Sequence, residues 1–337
     1  MNLRNFLIIG GSGFVGSAIT RKLAAQGRKV VVPTSRRERA KHLILLPTVD
    51  VIEADIHDFR VLDRMVAGAD VVINLVGILH SDTASPYGLR FKRAHVDLPR
   101  EIAAACAAAG VPRLLHMSAL GAAADGPSMY LRSKAAGEAA VRESMGQVAM
   151  TVFRPSVVFG RDDKFINLFA RMQGLAPIIP VGRAGSRLQP LHVEDLAQAM
   201  VNAADNPVTF GRAYDLAGPH VYTLKQIIQY AGQVSGHPRP VIGLPDALAY
   251  LQAWLTEFAP FELLSRDNLD SLRVDSVTSA PFAPELGVIP VSMEAIVPGY
   301  LAGHSPRERY MQLRVEFVGA VQRQGGEAVA VFAQYQL

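Results

Sequence analysis

The chain has 337 residues, 50% of them hydrophobic and 19% charged, a composition that excludes disorder and suffices for one large or two modest cores. Its net charge of +4 is too slight to imply nucleic acid, and the surplus sits at the front: residues 1–50 carry nine cations against two anions, so positive charge is needed early in the chain. Cys106 is the single cysteine, which rules out an intrachain disulfide, and neither a Cys-x-x-Cys pair nor a His-Glu-x-x-His helix offers a metal site. A reducing, cytoplasmic setting is the simplest home. No apolar run approaches the ~20 residues needed to cross a bilayer.

Leu3 to Gly10 reads as a strand and Gly13 to Gln26 as a helix. The opening, with Arg4 before Phe6–Ile9, has features of a signal peptide, but the three glycines inside it have a better explanation. Gly10, Gly13 and Gly16, with Ser12, Phe14 and Val15 between them, follow the strand and open the helix. A dinucleotide pyrophosphate needs backbone N–H groups at a helix N-terminus, a tight turn and close helix–strand packing, and each glycine answers one need. The next strand, Lys29 to Pro33, runs into Thr34-Ser35-Arg36-Arg37 with no carboxylate before Glu38. Basic residues there suit a 2′-phosphate, so NADP(H) is expected over NAD(H). The alternative is a solvated basic face, since Arg39 and Lys41 follow.

Asp50 to Glu53 continues the strands, and Asp55-Ile56 after it falls where adenine and its ribose would lie. Phe59 to Ala67 reads as a helix and Val71 to Val76 as the fourth strand, ending in Leu75-Val76-Gly77 on the cofactor side. Then come a helix at Pro99 to Ala109, a strand at Leu114 to Ser118, a helix at Met129 to Ser144 and a strand at Met150 to Arg154. This alternation predicts an α/β fold, a Rossmann-type doubly wound parallel sheet with a smaller C-terminal lobe. The expected division is a dinucleotide domain over 1–155, its sheet completed by later strands, an interleaved substrate-side lobe over 156–304, and a tail at 305–337. Leu244 to Phe258 is the most apolar helical stretch, with more apolar surface than one face needs; packing inside the lobe or a docking face would account for it.

Tyr130 and Lys134, four apart on a helix, leave one face. A nearby ammonium lowers a phenol pKa of ~10 towards working pH, which suits an acid that exchanges protons with an alcohol or carbonyl. A surface helix pair is the alternative. Ser118 is the candidate hydroxyl to polarise a substrate carbonyl.

Together these motifs resemble the short-chain dehydrogenase/reductase superfamily, in its extended and atypical branch. Gly10, Gly13 and Gly16 match its glycine motif, Asp55 its adenine-side acid, Tyr130 and Lys134 its YxxxK, and Arg154-Pro155-Ser156, with Val157 beyond, the stretch that closes over the nicotinamide. The active hydroxyl usual in that superfamily aligns with Ala119 if Ser118 takes the first place, and its usual asparagine with His95. A closer resemblance, through Tyr130–Glu138, Phe159–Phe165, Pro260-Phe261-Glu262 and Arg266-Asp267, is to the nucleotide-binding accessory subunits of respiratory complex I and their bacterial relatives. That resemblance implies a tightly held NADPH in a structural or regulatory role and a partner in a respiratory complex, on the cytoplasmic face of the inner membrane. The general superfamily implies instead an active NADP-dependent reductase, dehydrogenase or nucleotide-sugar epimerase with an unknown small-molecule substrate.

Overall fold

A computed structural model describes residues 3–257 and 265–302. The first half runs β1 (Asn5–Ile9), α1 (Phe14–Ala25), β2 (Lys29–Thr34), α2 (Lys41–Ile44), β3 (Val49–Glu53), α3 (Phe59–Val66), β4 (Val71–Asn74), α4 (Leu89–Phe91), α5 (Leu98–Ala108), β5 (Arg113–Met117), α6 (Met129–Arg142) and β6 (Ala149–Pro155). There follow β7 (Val158–Phe159), α7 (Ile166–Leu175), β8 (Ile179–Gly182), β9 (Arg187–Leu188), β10 (Leu191–His192), α8 (Val193–Ala204), β11 (Ala213–Leu216), β12 (Tyr222–Thr223), α9 (Leu224–Val234), β13 (Val241–Leu244), α10 (Asp246–Glu257) and α11 (Arg266–Ser271).

Seven parallel strands form one sheet in the order β11-β6-β5-β4-β1-β2-β3. The expected doubly wound sheet is therefore present. Its strands read as unbroken apolar runs because both faces are covered: Phe6 and Ile8 of β1 enter one core with α1 and α8, while Leu7 and Ile9 enter the other with α3, α5 and α6. The seventh strand, β11, returns to the sheet after a long excursion and pairs with β6. Its sequence, Ala-Tyr-Asp-Leu, alternates between half-buried and buried positions and gives no apolar run to read.

A further core joins Phe159, Ile166, Ile179, Leu188, Ile227 and Val241 in the C-terminal lobe. The helix expected from Leu244 begins only at Asp246, because Leu244 closes β13 against β8 and the Pro245 carbonyl accepts the Ala249 N–H of the new turn. Phe258 and the tail at 305–337 lie outside the described residues. Alanines 249 and 253 face Leu269, whereas Leu248, Leu251, Trp254 and Leu255 remain 45–57% exposed. Packing inside the lobe thus accounts for Tyr250 but not for Leu248, Leu251 and Leu255. Among the described residues no helix is long and apolar enough to cross a membrane.

Candidate functional site

The strand order reverses between β1 and β4, which opens a crevice at the C-terminal edge of the sheet. Gly10 lines it with φ +87°, a left-handed conformation natural to glycine, and packs on Leu75 across the crevice. Gly13 is exposed at the N-cap of α1, which has no side-chain cap and no acidic residue in its first turn. The first-turn N–H groups and the positive end of α1 are left to an anion. Gly16 presses on the turn: a Cβ there would overlap the Gly10 carbonyl and come within 2.6 Å of Gly11 Cα. Gly16→Ala is expected to cost about 1–3 kcal/mol by overpacking and to abolish the thermal shift caused by NADPH; an unchanged shift in a melting experiment contradicts this placement of the phosphates.

The remaining cofactor-side candidates fall on the same edge. Ser35, Arg36 and Arg37 leave the end of β2 exposed, and neither arginine pairs with a carboxylate among the described residues. Thr34 shapes that turn by donating its hydroxyl to the Arg36 carbonyl at 3.0 Å. Asp55 accepts the His57 N–H at 2.9 Å in a local turn, while Asp58 caps α3. Ile56 and Val76 pack on the core beside α3 and α5, and Phe14 and Val15 on the core beside α8. Asn74 divides its amide between the Val76 N–H, which it accepts at 3.1 Å, and His116 Nδ1 at 3.2 Å, so the Leu75–Gly77 turn is held from below. On the far side, the Pro155 carbonyl accepts from Leu120 N–H and that of Val157 from Leu191 N–H.

Helix α6 brings Lys134 to this edge. Its ammonium is buried, donates to the Met117 carbonyl at 3.1 Å, and lies 3.5 Å from where a Cβ on Gly77 would sit. Burial pushes its pKa down to about 8. Tyr130, one turn earlier, is half-buried, and burial pushes its hydroxyl up to about 12. The lowering expected from Lys134 is not found: burial is the cause of the shift, and it runs upward. Ser118, at the end of β5, is 3% exposed and its Oγ has no hydrogen-bond partner in the protein. A buried hydroxyl without a partner is costly, and a ligand oxygen would satisfy it. Lys134, Ser118 and the glycine turn could hold a dinucleotide here; when bound, such a cofactor would supply or accept a hydride, and Tyr130 and Ser118 are the hydroxyls near it.

Several polar residues hold this constellation in place. The Asp267 carboxylate, from α11, accepts the N–H groups of Met129 and Tyr130 at 2.6 and 3.1 Å and so caps the N-terminus of α6 from the other lobe. Arg154 pairs with Glu138 and with Asp215, tying α6 to β6 and β11. Asp163 is buried and collects the N–H groups of Gly160, Phe165 and Ile166, so the charged run after β7 caps α7. A cavity of about 930 Å³ opens beside α6, lined by Arg90, Met129, Arg132, Tyr250, Arg266 and Asp270. Asp267 was visible in sequence only through its resemblance segment; nothing local predicts a contact across 137 positions.

The model of the NAD dependent epimerase/dehydratase family matches residues 6–217. The chain belongs to this family. Within this extended short-chain dehydrogenase/reductase family, it is 31% identical over 299 residues to "NADH dehydrogenase [ubiquinone] 1 alpha subcomplex subunit 9, mitochondrial" of Mus musculus, covering 85% of this chain and 77% of that protein. It is 32% identical over 253 residues to the ceramide reductase of Caulobacter vibrioides, covering 73% and 77%. Among solved structures, the dTDP-glucose 4,6-dehydratase of Streptomyces venezuelae with NAD and TYD bound shares the fold at a TM-score of 0.69, with 18% identity over 88% of this chain and 95% of that one. As a member of this epimerase/dehydratase family, the chain is a dinucleotide-binding protein.

Proposed function

We propose that this family member binds NADP(H) along the C-terminal edge of the sheet and holds it as a structural or regulatory cofactor. The observation that carries the choice of nucleotide is the exposed Ser35-Arg36-Arg37 run beyond β2, whose arginines have no carboxylate partner among the described residues. The similarity to mitochondrial respiratory subunits supports the quiet role and association with a respiratory complex, for which the exposed leucines of α10 supply a surface. A ligand that binds only the folded state stabilises it by about 4 kcal/mol at a thousandfold excess over Kd. Native mass spectrometry of the protein as isolated is expected to find one NADPH per chain. Protein that arrives empty and titrates NADH and NADPH equally overturns the assignment.

A second reading, an active NADP-dependent reductase, is favoured by the partnerless Ser118 hydroxyl beside the Tyr130–Lys134 helix and by the relative named as a ceramide reductase. In that role Ser118 donates a hydrogen bond to a substrate carbonyl, Tyr130 delivers the proton and Lys134 supports the tyrosine. Tyr130→Phe is then expected to lower turnover by about 10²–10⁴-fold with NADPH affinity nearly unchanged. Cofactor oxidation assayed with a series of carbonyl compounds decides between the readings: none in either protein supports the quiet role, and loss confined to the variant supports the reductase.

A further inference from the structure

A π-helical turn, Lys92–Asp97, separates α4 from α5 and turns His95 into the core, where it is 1% exposed. Phe91 stacks on the imidazole at a centroid distance of 5.1 Å and Tyr130 meets it edge-on at 5.6 Å. Nε2 accepts the Ile78 N–H at 3.0 Å, and Nδ1 lies 2.8 Å from Ser133 Oγ. Ser133 in turn donates to the Tyr130 carbonyl at 2.8 Å.

These contacts determine the protonation of the ring. A backbone N–H only donates, so Nε2 is bare and the proton sits on Nδ1. The Ser133 hydroxyl has committed its hydrogen to the Tyr130 carbonyl and therefore accepts from Nδ1. The chain Ile78 N–H to imidazole to Ser133 to Tyr130 carbonyl is matched at every link. A doubly protonated ring would set two donors against each other at Ile78; burial, helped by Lys134 and His116, pushes the His95 pKa down to about 2.

The two ends of this chain are the two walls of the candidate site. Ile78 follows Gly77, which faces Lys134, and Ser133 directly precedes Lys134. Helix α6 also sits directly on the π-turn, since a Cβ on Gly137 would overlap the His95 carbonyl. We infer that His95 is a positioning residue that sets the separation between the cofactor-side loop at Leu75–Ile78 and the helix bearing Tyr130 and Lys134, and that it does so as the neutral Nδ1–H tautomer. The histidine that departs from the family pattern thus completes the site. This inference rests on the dinucleotide reading for its function, but the hydrogen-bond chain stands apart from it.

Two substitutions in the full-length protein separate the two bonds. His95→Gln places a side-chain oxygen near the Nε2 position, and His95→Asn places an amide near Nδ1 only. The Gln variant is expected to keep the Ile78 amide protected from hydrogen exchange and NADPH affinity within about 3-fold of the parent, whereas the Asn variant exchanges that amide about 10-fold faster and binds NADPH about 10-fold more weakly. A general packing defect would instead lower both melting temperatures and leave the two variants alike in exchange and affinity, which overturns the inference. Ser133→Ala supplies an independent arm if either variant fails to fold: it should leave Ile78 protected and weaken NADPH about 5-fold, and unchanged affinity overturns the inference. Should the parent bind no dinucleotide, the proposed function fails, while exchange at Ile78 still decides whether His95 holds the loop.

Discussion

Replacing Arg36 and Arg37 together by alanine is expected to weaken NADPH about 100-fold and NADH by less than about 3-fold. Only NADPH carries the ribose phosphate, and a guanidinium meets a phosphate through paired charge-assisted hydrogen bonds. Both side chains are exposed at the end of β2, free of carboxylate partners among the described residues, so removing them leaves no buried charge behind. The effect should shrink as salt rises, because exposed charges are screened. Isothermal titration with both nucleotides at two ionic strengths measures it. Equal losses for both would mean that the ribose phosphate does not lie against these arginines.

The largest expected loss of stability belongs to Arg113, a fully buried cation at the start of β5. Its guanidinium donates to the Ala203 and Ala204 carbonyls at 2.9 and 3.3 Å, to the Ala149 carbonyl at 3.0 Å, and to the hydroxyls of Thr151 and Thr209 at 2.7 and 2.8 Å. It also lies 4.5 Å over the Phe210 ring. The two alanine carbonyls end α8, where the negative end of the helix dipole favours a cation. Burial pushes its pKa down to about 10, still well above neutrality. Arg113→Ala removes the packing and takes one donor from each of five buried acceptors, of which the Ala203 carbonyl keeps the Thr209 hydroxyl, so a loss of about 3–5 kcal/mol is expected in chemical denaturation. Arg113→Lys keeps the charge but has no planar fork and should recover less than half. A loss below about 1 kcal/mol for the alanine variant would mean that water takes over these acceptors.

The arginine pair and the buried arginine differ in how far the sequence reaches. The role expected for Arg36 and Arg37 follows from position alone, at the end of the second strand of a glycine-turn unit. Arg113 precedes an apolar strand like many surface cations; its partners come from residues 149–209, and only the packed sheet brings them together. Asp163 differs from Arg113 in that its partners, Gly160, Phe165 and Ile166, all lie within three residues of it. Asp163 is the cap because its carboxylate sits over the N–H groups of α7.

By itself the sequence determined the doubly wound sheet and the glycine turn after β1, because both depend on local physics. A strand covered on both faces must be apolar throughout, and a turn that bends sharply against a strand must be glycine at Gly10 and Gly16. Tertiary structure alone decided which later segment supplies the seventh strand, the outward-facing leucines of α10, the Asp267 cap on α6 and the lodging of His95 between Ile78 and Ser133. Each of these is a choice of partner among groups far apart in the chain. A carboxylate or an imidazole carries the same pattern in sequence whatever it meets, and only the folded geometry says which N–H group it will find.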